Sequence, residues 1–246
     1  MHKQQPTVIL VHGAFADSAS WNGVIERLRS RSVDVLAVAN PLRSLSGDAG
    51  YVRDVIAATG ERVVLVGHSY GGMVITEAAA GNDSVVGLVY VGAFAPDTGE
   101  SAFSLSTRFP GSTLAQALTA YPVSTGGNEF AIRRDRFHVQ FAADVPAEQA
   151  ALMAATQRPA TEAALSAGLS ADVPAWKSIP SWFVIGGADR NIPPALQQFE
   201  AERAGARGVR EVPGGSHALA VSAPGAVTES ILAAVEATTP SASAVG

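Results

Sequence analysis

The chain has 246 residues, of which 47% are hydrophobic and 16% charged, with a formal net charge of −5. That size and balance suit one large domain with a sizeable buried core and argue against disorder, while the lack of a basic face argues against nucleic-acid binding. There is no cysteine, which excludes disulfides, thiol catalysis and cysteine-ligated zinc.

In chain order, residues 1–6 are short and polar and lack the basic start and long apolar run of a secretory signal. No stretch approaches the ~18 apolar residues of a membrane span, so a soluble cytoplasmic protein is expected. Residues 7–12 read as a strand. Residues 18–30 read as a helix, with Trp21, Val24, Ile25 and Leu28 on one face. A strand at 33–38 and a helix at 48–59, carrying Val52, Val55 and Ile56, come next. In the strand at 62–66, Val63, Val64, Leu65 and Val66 are apolar in succession, as in a parallel sheet buried on both faces. A helix at 69–80 and a strand at 85–91 follow. Late in the chain, strands at 182–185 and 208–212 alternate with helices at 194–204 and 226–237. Repeated β-α-β units predict an α/β fold, a mostly parallel sheet flanked by helices.

Residues 95–175 break this rhythm. They contain no convincing strand, and helical stretches at 114–119, 129–141 and 147–156 are punctuated by Pro110, Pro122, Pro146 and Pro159. The expected organisation is a core of residues 1–94 and 176–246 with a helical cap, residues 95–175, inserted over the C-terminal edge of the sheet. Residues 239–246 are small and polar and read as a frayed tail.

The strongest motif is Gly67-His68-Ser69-Tyr70-Gly71, followed by Gly72. It has the G-x-S-x-G form of a nucleophile elbow, and it lies between an apolar strand and a helix, the context such a turn requires. The small glycines let strand and helix approach closely around Ser69. A serine needs a base to take its proton, and the chain has five histidines. His2 is terminal, His12 ends the first strand, His68 adjoins Ser69 with its side chain expected to point away, and His138 lies in the cap. His217 follows the last strand at the sheet edge where an open α/β sheet places its site, so it is the candidate base. The acid that orients it is expected at Asp189, after the strand at 182–185, which gives the chain order Ser, Asp, His. Asp97, after the strand at 85–91, is the rival. Backbone amides of Ala14 and Tyr70 are the candidate oxyanion donors.

With these residues the chain resembles the α/β-hydrolase superfamily, and within it the methyl esterase and hydroxynitrile lyase branch with its bacterial carboxylesterase relatives. The matching pieces are Val11-His12-Gly13-Ala14, Trp21, the elbow, Ala188-Asp189 with Ile192-Pro193, and Ser216-His217. The resemblance implies the same triad and oxyanion residues, and a six-stranded core lacking the fold's first two strands.

The cap is rich in aromatic residues. Phe15, Phe103, Phe137, Phe141 and Trp176 are the candidate substrate-binding residues around an apolar pocket. The run Arg133-Arg134-Asp135-Arg136 reads as a solvated helix face. No histidine pair has the spacing of a zinc site, so neither metal nor other cofactor is expected. The expected function is hydrolysis of a small or medium apolar carboxylic ester, lactones included, with no nucleic-acid or membrane partner. A hydroxynitrile lyase and a hydrolase-like ligand receptor are the competing readings. The apolar Ala218-Leu219-Ala220-Val221 after His217 weighs against the lyase, because it supplies no cation for a departing cyanide.

Overall fold

The structure, a computed structural model, describes residues 5–240. From the N-terminal side, β1 (Thr7–Val11) leads through a 3-10 turn into α1 (Asn22–Ser30), followed by β2 (Val35–Val38), α2 (Leu45–Thr59), β3 (Val63–His68), α3 (Gly71–Ala79) and β4 (Val85–Val91). The next segment holds α4 (Ala102–Ser106), α5 (Leu114–Ala117), β5 (Leu118–Pro122), β6 (Asn128–Ile132), α6 (Arg134–Phe141), α7 (Ala147–Thr156), β7 (Ala160–Thr161) and α8 (Glu162–Ser166). The described chain closes with β8 (Ser181–Gly186), α9 (Pro194–Arg203), β9 (Gly208–Val212), α10 (Leu219–Ser222) and α11 (Pro224–Thr238).

Six strands form one sheet in the order β2-β1-β3-β4-β8-β9, and every pair in it is parallel. Successive strand residues point to opposite faces, and each face meets its own helices. Val8 and Leu10 of β1 pack with Trp21, Val24, Val227 and Ile231, from the α1 and α11 side. Ile9 and Val11 pack with Val52 and Ile56 of α2 and Met73 and Val74 of α3. The apolar runs seen in sequence are therefore strands covered on both sides. The strand order turns back at β1, which has β2 on one side and β3 on the other. Such a switch point opens a crevice at the carboxyl ends of the strands, and here those ends carry Gly13 and Ser69.

Local chemistry sets the element boundaries. The Ser44 hydroxyl accepts from Gly47 N at 3.2 Å, so α2 starts three residues before the expected position 48. It ends at Gly60, whose φ of +64° is open to glycine without a Cβ penalty. The helix expected over 18–30 divides into a 3-10 turn and α1, because Asp17 caps the turn by accepting from Ala19 N at 2.8 Å.

The inserted segment corrects one expectation. Besides its helices it carries an antiparallel sheet, in the order β5-β6-β7. The stretch expected to be helical over 129–141 is β6 for its first residues and α6 only from Arg134. Likewise 114–119 is a single turn, α5, running directly into β5. The physical cause is a hairpin: Gly126 and Gly127 take φ of +93° and +76°, a left-handed turn that pairs Tyr121 with Glu129. Of the expected polar tail, residues 241–246 lie outside the described residues, as does His2.

Candidate active site

β3 ends at His68 and α3 begins at Gly71, which leaves Ser69 in the sharp turn between them. Its φ is +56°, a left-handed conformation that side-chain-bearing residues rarely adopt and that the surroundings must enforce. Glycines enforce it. A Cβ on Gly67 would stand 2.6 Å from Gly71 O, and one on Gly13 would stand 2.6 Å from both Ser69 Cβ and His68 O. Side chains on Gly71 and Gly72 would collide with Val11 O and Phe94 O. The loop after β1, the elbow and the end of β4 thus meet backbone to backbone, and Ser69 is held at their junction.

His217 and Asp189 come together as a buried pair. His217 Nδ1 lies 2.7 Å from Asp189 Oδ2, with both side chains almost wholly buried. Asp189 accepts three further hydrogen bonds: Asn191 N (2.8 Å) and Ile192 N (3.0 Å) on Oδ1, and Gln197 Nε2 (3.0 Å) on Oδ2. An aspartate with only acceptor capacity and four donors around it is fixed in place, which leaves Nδ1 of His217 as the donor of their shared bond. The other ring nitrogen, Nε2, is buried and without a hydrogen-bond partner among the described residues, so no bond from Ser69 Oγ closes on it. Asp97 is elsewhere: it pairs with Lys177 Nζ at 2.8 Å, both groups partly exposed.

Gly13 brings the first loop against Tyr70 N, 3.1 Å from the position a Cβ would take. The neighbouring Phe15 N donates to Arg158 O at 2.9 Å, whereas the amides of Ala14 and Tyr70 have no protein acceptor among the described residues. Ala14, Phe15, Ser69 and Tyr70 share the wall of a cavity of about 200 Å³ that the inserted segment covers with Ala102, Phe103, Leu114, Leu118 and Leu165. Phe15 and Phe103 are both on this cavity.

Phe137, Phe141 and Trp176 are corrections, because none of them lines the cavity. Phe137 stacks on Phe141 at 4.9 Å between ring centroids, and Phe141 meets the His217 ring edge-on at 4.9 Å. They form the floor beneath the histidine. Trp176 donates from its indole to Pro96 O at 2.7 Å and lies under Arg203. The arginines at 133 and 136 rim a separate surface cavity with Arg190, so Arg133 does not reach the chamber at Ser69.

Several contributors escape sequence reading. His68 does not simply point away: its Nε2 donates to His217 O at 2.9 Å, and its ring lies 4.7 Å from that of His217. Burial, then the neighbouring His217, pushes its pKa well below the ordinary histidine value, so it stays neutral beside the candidate base. Gln197 and Gly92 complete the seat of the His217–Asp189 pair, Gly92 at φ +50° with space for no more than a methyl near Asp189 Oδ2. The Tyr70 hydroxyl donates to buried Asp48 Oδ2 at 3.0 Å. Burial raises the Asp48 carboxyl and, with the adjacent carboxylate, raises the Tyr70 phenol, so Tyr70 remains a donor. These partners are tertiary; only His68, by adjacency to Ser69, carried any signal.

The profile of the alpha/beta hydrolase family matches residues 8–230. A carbendazim hydrolyzing esterase from Nocardioides sp. is 36% identical over 110 residues, 39% of this chain and 46% of that protein. Alpha/beta hydrolase nvfD from Aspergillus novofumigatus is 34% identical over 116 residues, again 39% and 46%. The matched segments thus span under half the length of these curated relatives. Among solved structures, polyneuridine aldehyde esterase superposes with a TM-score of 0.79 at 22% identity, covering 94% of this chain and 99% of that one. A pyrethroid hydrolase from Sphingobium faniae JZ-2 gives 0.74 at 22% identity, covering 94% and 98%. At such identities the likeness establishes the fold alone.

Proposed function

The chain belongs to the alpha/beta hydrolase family, and on that premise we propose that it is a serine hydrolase cleaving a small or medium apolar carboxylic ester through an acyl-enzyme. The observation that carries the reading is the left-handed Ser69 at the elbow, on the wall of a largely apolar cavity, in a fold that also holds the buried His217–Asp189 pair. Names of relatives that include esterases agree with it.

In this reading His217 Nε2 takes the Ser69 proton as Oγ attacks the ester carbonyl. The oxyanion forms between the amides of Ala14 and Tyr70, which cost no reorganisation because the glycine junction holds them. His217 returns the proton to the leaving alkoxide, an alcohol departs, and the acid remains as an ester of Ser69. Water then repeats the sequence and releases the carboxylic acid. Asp189 keeps the His217 proton on Nδ1 and stabilises the imidazolium. No hydrogen bond joins Ser69 to His217 Nε2 among the described residues; in such sites that contact commonly tightens only when substrate binds. Residues 95–175 act as the cap that roofs the acyl or alcohol group. Ser69, His217, Asp189, Ala14 and Tyr70 form the machinery, with Phe15 and Phe103 as apolar contacts.

The lyase reading has less support. Among the described residues no charged side chain lines the cavity, and Lys177 is committed to Asp97. A developing cyanide would find no cation, whereas an ester oxyanion needs only amides. The test compares hydrolysis of para-nitrophenyl esters with cyanide release from mandelonitrile. Ester turnover that disappears in Ser69→Ala, with cyanohydrin cleavage at background, is expected. Efficient cyanohydrin cleavage with ester hydrolysis at background overturns the proposal.

A further inference from the structure

The run Arg133-Arg134-Asp135-Arg136 takes no part in ester hydrolysis as read above, yet two of its arginines stand on a cavity of their own. That cavity measures about 260 Å³, and Arg133, Arg136 and Arg190 line it with Thr113, Gln116 and Gln140. It shares no lining residue with the chamber at Ser69. The stretch 112–118 is the wall between the two. Ser112, Leu114 and Leu118 line the chamber, while Thr113, Gln116 and Ala117 line the second cavity.

Backbone carbonyls, rather than close carboxylates, hold the guanidiniums at this wall. Arg133 Nη2 donates to Gln116 O at 3.3 Å and Arg190 Nη1 to Val139 O at 3.4 Å, and Gln116 and Val139 are themselves lining residues. Arg133 and Arg136 bring their Nε atoms to the single carboxylate of Asp135, at the stretched distances of 4.0 and 3.7 Å, and Asp135 is 72% exposed. Three guanidiniums against one carboxylate leave a local surplus of two positive charges, in a chain whose net charge is −5. The neutral groups of Thr113 and Gln140 are spent: Thr113 Oγ1 donates to Gln140 Oε1 at 2.8 Å, and Gln140 Nε2 to Arg190 O at 2.9 Å and Asn191 Oδ1 at 2.8 Å. Each guanidinium carries five N–H donors, most of them without a protein acceptor here.

We infer that this cavity is a binding site for a small organic dianion, a phosphate monoester with a compact apolar body. The arginine fork matches phosphate oxygens two at a time, and a phosphate monoester carries close to two negative charges at neutral pH. Val139, 56% exposed, and Ala117 give the body an apolar edge. The volume lies below the ~300–1,000 Å³ of pockets for drug-sized ligands, which keeps the ligand small. The site stands apart from the ester-hydrolase reading, because no residue lining the chamber at Ser69 takes part in it.

The test is isothermal titration calorimetry of the full chain with phenyl phosphate, at low ionic strength and in a phosphate-free buffer. One saturable site is expected, and phenyl sulfate, the same shape with one charge less, should bind several-fold more weakly. Arg133→Gln, Arg136→Gln and Arg190→Gln should each weaken phenyl phosphate by about ten-fold, the low end for a hydrogen bond to a charged group. Arg134→Gln removes a positive charge from the same run but not from the cavity wall, and should leave the affinity nearly unchanged. Asp135→Asn removes the competing carboxylate and should tighten binding, which damage to the fold would not do. A wild type without saturable binding overturns the inference. So do equal affinities for phenyl phosphate and phenyl sulfate, a loss in Arg134→Gln as large as in the three wall variants, or an Asp135→Asn protein that binds no tighter. Binding is read without turnover, so its outcome is separate from that of the ester-hydrolysis test.

Discussion

Two buried carboxylates occupy opposite situations. Asp189 has four donors around its two oxygens, and an asparagine there would present an amide where His217 needs an acceptor. Asp189→Asn should therefore lower turnover by about 10⁴-fold. Asp97→Asn should leave it nearly unchanged, because its partly exposed pair with Lys177 contributes little. Steady-state kinetics of the two variants decide between the acids, and a collapse in Asp97→Asn alone would reverse the assignment. Glu200 of α9 is wholly buried, and neither carboxyl oxygen has a well-formed hydrogen bond among the described residues. Burial pushes its pKa up to about 8, against smaller downward pulls from the Ala95 backbone and Arg203. The unfolded chain ionises near the ordinary 4.5 while the folded protein holds the proton to about 8. Stability should thus fall as pH rises across that window, by a few kcal/mol in total. Glu200→Gln should flatten the fall, leaving the two proteins alike near pH 4.5 and the variant more stable at and above about pH 8. Chemical denaturation at several pH values measures this, and parallel profiles would refute it.

At the scale of elements, the elbow is a contact between backbones, so its glycines are intolerant. Gly67→Ala places a Cβ 2.6 Å from Gly71 O and 2.7 Å from Gly72 N, forcing α3 away from β3. A loss of about 1–3 kcal/mol in stability and a larger proportional loss in turnover are expected, because Ser69 and Tyr70 move with the helix. Thermal melts and kinetics on the same preparation check both, and a fully active Gly67→Ala would contradict the account. The strands of the main sheet were legible because they are covered on both faces, so Val63 to Val66 are apolar without interruption. The strands of the inserted segment were not. Four of the five residues of β5 are exposed and β7 has two residues, too little for a period to emerge. Gly126-Gly127 was the one local sign of the hairpin. The places of Ser69, His217 and Asp189 in the fold were legible for another reason: each follows a strand whose end lies on one edge of the sheet. Phe137, Phe141 and Trp176 were misread because composition tells which residues are apolar but not which way a docked helix turns them.

Over the whole molecule, the inserted segment is tied to the core at separate points. Phe15 N donates to Arg158 O (2.9 Å), Thr161 N to Leu42 O (3.1 Å) and Ser170 N to Glu77 Oε2 (2.9 Å), and Arg43 pairs with Glu129. The roof over Ser69 is thus part of the same packed body as the sheet that positions it. Among the described residues no three metal-ligating side chains converge, so turnover should survive exhaustive chelation; a loss restored by added metal would count against a serine mechanism. On the proposed reading, this architecture activates Ser69. That activation is tested most directly by treating the protein with a fluorophosphonate and locating the adduct by peptide mass mapping. One adduct is expected, on Ser69, appearing in step with the loss of ester turnover and missing from Ser69→Ala. An adduct on another residue, or wild-type turnover in Ser69→Ala, would contradict it.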